Sequence, residues 1–346
     1  MYLAQPVNEA SCIDPERLEF VRRYSSDPLH YSTLQRGLSY FDTSDGFIAY
    51  KKVLGHKIAL SPEISTPSSH NPILSEFIRR YSQVILCNLD ENAACEVHDL
   101  SPHFQFAPMG SEYVVDISNL RNETSTARNK LIKGALKHAR KHEFHIEEFV
   151  PRREPLATVA KVVDISNAYV RASKIGVEMS FVNRPLDIYR MESARYFKLC
   201  NRIGLFGVAV IHPYRTPAGE AGYLLNILRF SPTRQWGVYI AVVSALSEYL
   251  KKENVKELSL GMAPLDTKDL PGDLPQDRSL SRLVDGLYTK RYQLFLSESL
   301  ENIKRNLADV RKPRYMAIRT RWLLLGLAAL MKSMDVSILK SIVKNF

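Results

Sequence analysis

The sequence predicts a mixed α/β (α+β) fold of two tandem halves, each a mixed sheet flanked by helices, with a further helix at the C-terminus. Three observations carry that expectation. First, an apolar stretch Gly222–Phe230, a loop closing on Gly237, a helical stretch and a second apolar stretch Leu258–Leu265 form one strand–loop–helix–strand unit. Second, short apolar runs alternate with helical stretches in the first half. Third, 346 residues suffice for two domains, each burying its own core.

Taken in chain order, Gly46–Lys51 and Lys57–Leu60 read as strands, and Ser61–Pro72 as a loop by its proline and serine content. Residues 127–142 form a basic helix. Leu131, Ala135, Leu136 and Ala139 give it a narrow apolar seam, while Lys130, Lys133, Lys137 and Arg140 recur at three- and four-residue steps as a cationic stripe. Such a stripe neutralises successive phosphates of a nucleic acid or is simply a solvated face. Pro151–Pro155 is the linker, dividing the chain into residues 1–150 and 151–320. Leu205–Pro213 is a strand ending in a turn that holds a structural His212. Tyr239, Val243, Leu246 and Leu250 mark the apolar face of the helix after Gly237, and Asp266–Arg278 is a polar loop.

Trp322–Met331 is the longest apolar run, short of the ~20 residues that span a bilayer. Beyond it Met331, Met334, Ile338 and Ile342 share a helical face, with Lys332, Lys340 and Lys344 elsewhere. With Arg319 and Arg321 ahead of it, the segment 321–346 reads either as a basic amphipathic helix lying in an anionic interface or as a terminal helix docked on the core.

A net charge of +10 and a pI near 9.3 call for an anionic partner, nucleic acid or membrane surface. Cys12, Cys87, Cys95 and Cys200 have neither disulfide-framework nor zinc spacing, which suits reduced thiols in a cytoplasmic protein. The N-terminus has no signal-peptide pattern, and His138 with His142 lacks a third ligand, so no metal is expected.

The strand–loop–helix–strand unit resembles the acyl-donor site of GNAT-type acyltransferases. GNAT enzymes that use acetyl-CoA cradle its pyrophosphate on small loop residues and a helix N-terminus; here Trp236 takes such a position and only Gly237 remains. The patches Phe106–Ile117, Arg128–Arg140, Tyr223–Gly237, Leu258–Leu265, Ile303–Leu307 and Pro313–Ala317 together resemble, over roughly residues 15–320, the catalytic domain of the phosphatidylglycerol lysyltransferases, also known as multiple peptide resistance factors.

That resemblance implies two tandem GNAT-like units with the active site near their junction, and aminoacyl transfer from a charged tRNA to a lipid hydroxyl such as that of phosphatidylglycerol. Aminoacyl-tRNA is then a co-substrate and no other cofactor is needed. It also implies peripheral attachment to the inner face of the cytoplasmic membrane, a role in antimicrobial peptide resistance and, with no flippase segment in the sequence, a separate flippase partner. Asn226, Arg229, Ser259 and Asp266 are the expected catalytic residues. Arg234, Trp236, Gly237, Lys304 and Arg314 are expected to bind substrate, the arginines by bidentate phosphate contacts. Arg128, Lys130, Lys133, Lys137 and Arg140 are the expected tRNA surface. Two departures from the family pattern, Asn226 for an acid and Tyr239-Ile240 for Met-Asp, keep open a non-catalytic membrane- or RNA-binding homologue. A second alternative, an acyl-CoA-dependent N-acyltransferase on the same scaffold, is disfavoured by Trp236 in the loop.

Overall fold

The computed structural model describes residues 14–60, 63–66, 72–118, 126–173, 176, 178, 180–231, 237–264, 280 and 298–335. Helix α1 (Pro15–Tyr24) starts where Asp14 accepts the Glu16 amide and Pro15 supplies a fixed φ. Strands β1 (Ser39–Thr43), β2 (Gly46–Val53), β3 (His56–Ala59) and β4 (Ile64–Ser65) follow. Helix α2 (Pro72–Arg80) then leads to β5 (Val84–Leu89), α3 (Glu91–Leu100) and the long β6 (Gln105–Asp116). Helix α4 (Thr126–Lys141) and strand β7 (His145–Phe149) end the first half, and the second runs α5 (Leu156–Ala172), β8 (Arg195–Asn201), β9 (Gly204–Arg215) and β10 (Ala221–Phe230). It closes with α6 (Val238–Lys251), β11 (Glu257–Pro264), α7 (Glu298–Leu307), β12 (Val310–Arg319) and α8 (Leu323–Ser333).

All the strands join one 12-stranded mixed sheet, in the order β1-β2-β3-β5-β12-β6-β11-β10-β9-β8-β7, with β4 on β2. Two pairs are parallel. β3 pairs β5 across α2, and β10 pairs β11 across α6, so each half contains a strand–helix–strand crossover. The halves interlock at the centre, because the last strand, β12, lies between β5 and β6. β6 in turn pairs β11 of the second half. A mixed α/β sheet is therefore what the alternation of apolar runs and helical stretches specified.

Helix α6 is apolar nearly all round because it is covered on two sides. Ile240, Val242, Val243, Leu246 and Leu250 join one core cluster with β9–β11, and α4 packs along it through Ala135, Leu131 and Ile132. α8 uses one face to join the other large cluster, where Ala329, Leu330 and Met331 meet Ile58 and Ile318. His212 departs from expectation: it is not in a turn but inside β9, fully buried, paired in register with Leu224. The polar loop Asp266–Arg278 and the amphipathic stretch after Asp335 lie outside the described residues. Within them, no helix is long and apolar enough to cross a membrane.

Candidate functional site

β10 and β11 are hydrogen-bonded only from Gly222 to Leu224 against Glu257 to Ser259. Beyond that point β10 keeps β9 and β11 keeps β6, so the parallel strands part at their carboxyl ends. Crevices at such ends are where α/β sheets take ligands, because loops and helix termini converge there without filling the gap. Both strands are irregular at the fork. β10 bulges between Leu225 and Ile227, at Asn226, and β11 shifts register between Ser259 and Met262. Gly261 sits in the shifted segment at φ +74, a left-handed conformation that disfavours a side chain. A Cβ there would lie 3.9 Å from Lys304 Nζ, so Gly261 leaves the backbone open to that amine.

Lys304 reaches the fork from α7, whose Ile303 and Leu307 pack into the α6 cluster. The amine is buried, with two weak partners, the carbonyls of Gly261 at 3.5 Å and Met262 at 3.4 Å. Burial pulls its pKa down to about 8, opposed by the carboxylate of Glu112.

Behind the lysine runs a buried ionic chain. Glu112 projects from the middle of β6, where a lone carboxylate would be very costly. Arg314 Nε donates to its Oε2 at 3.0 Å, Arg314 Nη2 pairs with the same oxygen, and Ser259 Oγ donates to Oε1 at 2.6 Å. Ser259 Oγ also accepts the Gly261 amide at 3.1 Å, tying the chain to the fork. Arg314 Nη1 meets Asp27 Oδ2 at 2.9 Å. Asp27 is steadied in turn by the Leu29 amide at 2.8 Å and Asn88 Nδ2 at 3.1 Å. Burial works to raise the pKa of Glu112, but the Arg314 guanidinium and the Ser259 hydroxyl outweigh it and hold the carboxyl ionised. Burial likewise disfavours the charge on Arg314, yet Asp27 and Glu112 raise its pKa further. Beside the chain, His30 is pushed down to about 4 by burial, with Asp27 opposing and Arg314 assisting.

On the β10 side, Asn226 uses both polar groups on one backbone residue. Its Nδ2 donates to the Arg184 carbonyl at 2.8 Å, and its Oδ1 accepts the Arg184 amide at 3.3 Å. An aspartate would lack the donor. Arg184 is itself buried, bonded to the Arg190 carbonyl at 2.6 Å and 3.9 Å from Glu192. Its Nη1, Glu192 Oε2 and both ring nitrogens of His212 are buried without a hydrogen-bond partner. Burial, aided by the charge of Arg184, pushes His212 down to about 3. This cluster is polar and desolvated. Further along β10, Arg229 donates to Ser166 Oγ of α5 at 2.6 Å and pairs with Glu178.

The expected site residues thus divide. Ser259, Lys304 and Arg314 converge at the fork, and Asn226 lines its other strand. Arg229 stands five residues beyond Leu224, the last β10 residue paired with β11, with its charge engaged by Glu178. Gly237, at φ +73, is the N-cap of α6 and lets that helix start against Ala135 of α4, where a Cβ would be 3.5 Å away. Lys130, Lys133, Lys137 and Arg140 are all exposed on α4, which therefore presents its cations beside the helix that follows β10. Arg234, Trp236 and Asp266, and the side chain of Arg128, lie outside the described residues. Among the described residues no group of three or more His, Cys, Asp and Glu side chains gathers as a metal site. Glu112, Asp27 and Arg184 were missed. Glu112 had a signal, a single carboxylate inside the apolar run Phe106–Val115; Asp27 and Arg184 lie in loops with none.

A family model described as "Phosphatidylglycerol lysyltransferase, C-terminal" matches residues 18–318. The solved structure of L-PGS from Bacillus licheniformis superposes with a TM-score of 0.74 at 17% identity, covering 94% of this chain and 98% of that one. The C-terminal domain of a putative lysylphosphatidylglycerol synthetase from Agrobacterium fabrum gives 0.73 at 13%, covering 93% and 98%. FemX gives 0.54 at 10%, covering 90% and 97%. At these identities the structures establish a shared fold. No curated protein matches the chain by sequence. By the family match, over most of its length, the chain belongs to the phosphatidylglycerol lysyltransferase C-terminal family, enzymes of the acyltransferase type.

Proposed function

We propose that this protein moves an aminoacyl group from a charged tRNA to a hydroxyl of a membrane lipid such as phosphatidylglycerol, working at the inner face of the cytoplasmic membrane. The observation that carries the reading is Lys304: a buried amine, with a pKa near 8, set at the parting of β10 and β11 and backed by the Glu112–Arg314 pair. An aminoacyl ester is already activated, so transfer needs positioning, a proton relay and a donor to the developing oxyanion. Neutral Lys304 takes the proton of the lipid hydroxyl as its oxygen bonds to the ester carbon. The resulting ammonium lies beside the tetrahedral oxyanion. As the ester C–O bond breaks, the proton passes to the departing ribose oxygen, so Lys304 ends as it began. Aminoacyl-tRNA is a co-substrate in this scheme, and no further cofactor takes part.

The Glu112–Arg314–Asp27 chain fixes β6, β11 and β12 around the fork and sustains the local field at Lys304. Asn226 is a positioning residue, holding the Arg184 backbone against β10. The exposed cations of α4 supply a surface for the tRNA backbone, reached through counterion release. The test is transfer of a labelled amino acid from charged tRNA to phosphatidylglycerol by the purified protein. Labelled lipid that disappears with RNase and in Lys304→Met supports the reading. Transfer that continues after RNase, or that runs from an acyl-CoA, overturns it.

A further inference from the structure

Helix α8 docks one face on the core, and apart from Lys332 in its last turn the exposed side chains on the other are apolar. Trp322, at its N-cap, is 64% exposed, and Leu324 and Leu325 are 71% and 41% exposed. Ala328 continues the same open face. A helix resting on its own protein would place polar groups there. A second exposed apolar side chain stands next to this face. Leu54, 46% exposed, occupies the tip of the β2–β3 hairpin at φ +48, a position where glycine, asparagine or aspartate is favoured. His56 ties the two together: its Nδ1 meets the Leu54 carbonyl at 2.9 Å and its Nε2 the Thr320 hydroxyl at 2.7 Å. Thr320 in turn accepts the Trp322 amide at 3.3 Å.

Cations gather at this end of the sheet, on both of its faces. Lys52 and Arg321 are exposed, and the Arg321 guanidinium lies 5.9 Å from the Trp322 ring. Lys57 stands over Tyr81 at 5.1 Å. Arg319 bonds the Ile78 and Tyr81 carbonyls, which brings the exposed Arg79 and Arg80 at the end of α2 to the same edge. Residues 51–57 and 319–332 contain Lys51, Lys52, Lys57, Arg319, Arg321 and Lys332 and no Asp or Glu, although Lys51 is itself paired with Asp335 at 3.6 Å. Aromatic and aliphatic side chains projecting from a cation-rich end of the sheet match an anionic bilayer interface. The rings and leucines enter the acyl boundary while the cations meet headgroup phosphates.

We infer that Trp322, Leu324, Leu325 and Leu54, with Arg321 beside them and Lys52 and Lys57 at the same end of the sheet, form the surface by which this protein docks on an anionic membrane. The inference deepens the lipid-acceptor reading and rests on it only for its purpose. β12 links the two places. Five residues from Arg314 to Arg319, at about 3.3 Å each, put the patch roughly 17 Å from the buried ionic chain. A protein seated on the patch therefore holds its fork close to the headgroups.

The experiment is co-sedimentation of the full chain, without tRNA, with vesicles of phosphatidylglycerol mixed with phosphatidylcholine. The wild type binds. Trp322→Ser combined with Leu324→Ser loses at least tenfold in vesicle affinity, and Arg321→Glu weakens binding most at low salt. Leu156→Ser, which changes a leucine 80% exposed at the start of α5, leaves binding unaltered. Circular dichroism melts establish that each variant is folded. Unchanged binding in the double variant, an equal loss in Leu156→Ser, or a wild type that ignores anionic vesicles overturns the inference. Transfer to a short-chain, fully dispersed phosphatidylglycerol separates the two claims, since the docking variants keep it. A wild type that binds vesicles through the patch but transfers nothing would sink the reading of the site and leave the docking surface standing.

Discussion

Replacing Lys304 with methionine should make this protein more stable and inactive. The amine is buried with only two long contacts to carbonyls, and burial lowers its pKa from 10.5 to about 8. The sign follows from proton binding. Between those two values the unfolded chain holds the proton and the folded one does not, so stability rises with pH across that window. Below the folded value the full cost of keeping an ammonium in the interior is present. A shift of this size, at about 1.4 kcal/mol per unit, corresponds to about 3 kcal/mol at pH 7. At pH 10 the folded amine is neutral and roughly 1 kcal/mol of that cost remains. Methionine has nearly the same length and no charge to bury. Urea denaturation of the two proteins should therefore show Lys304→Met more stable by about 3 kcal/mol at pH 7, the gap narrowing to about 1 kcal/mol at pH 10. Transfer activity should fall by about a hundredfold or more, the usual contribution of a positioned proton relay. A variant less stable than the wild type, or a gap that ignores pH, would refute the assignment of Lys304 as a desolvated amine.

Glu112→Gln leaves Arg314 buried with Asp27 as its one remaining carboxylate; breaking such a pair should cost about 3–5 kcal/mol by denaturant titration, and an unchanged midpoint would contradict it. Because Glu112 also raises the pKa of Lys304, the rising limb of the pH–rate profile should move to lower pH in that variant. Asn226→Asp removes the donor to the Arg184 carbonyl at 2.8 Å and sets a carboxylate against that oxygen, for a loss of about 1–3 kcal/mol in thermal melts. Charge reversal at Lys130, Lys133 and Lys137, all exposed on α4, should raise KM for charged tRNA and flatten its salt dependence while leaving the melting temperature in place.

The β10–α6–β11 unit and α4 were legible because their signals are local. Periodicity at Tyr239, Val243, Leu246 and Leu250 and the apolar runs on either side specify β10, α6 and β11, and the basic stretch specifies α4 almost to its ends. The gathering of the site was not. Glu112 and Arg314 are separated by 202 residues, and nothing in either strand's own pattern says that β12 inserts between β5 and β6. Asp27 joins the chain from a loop after α1, where one aspartate among polar neighbours looks like any turn residue. Lys304 was legible as a residue but not as a buried amine, because Ile303 and Leu307 mark the inner face of α7 and the lysine lies beside it. The terminal helix showed the reverse problem. The run Trp322–Met331 gave no sign of which apolar residues would be covered, since that depends on β2 and β3, far away in sequence.

Lys304, at the fork of β10 and β11, is the residue proposed to drive aminoacyl transfer to a lipid. Lipid mass spectrometry of cells expressing the wild type and Lys304→Met is the direct test. A new aminoacylated phospholipid is expected in the first, its mass naming the amino acid, and none in the second, with equal amounts of folded protein. The same lipid in both, or in neither, would contradict that role.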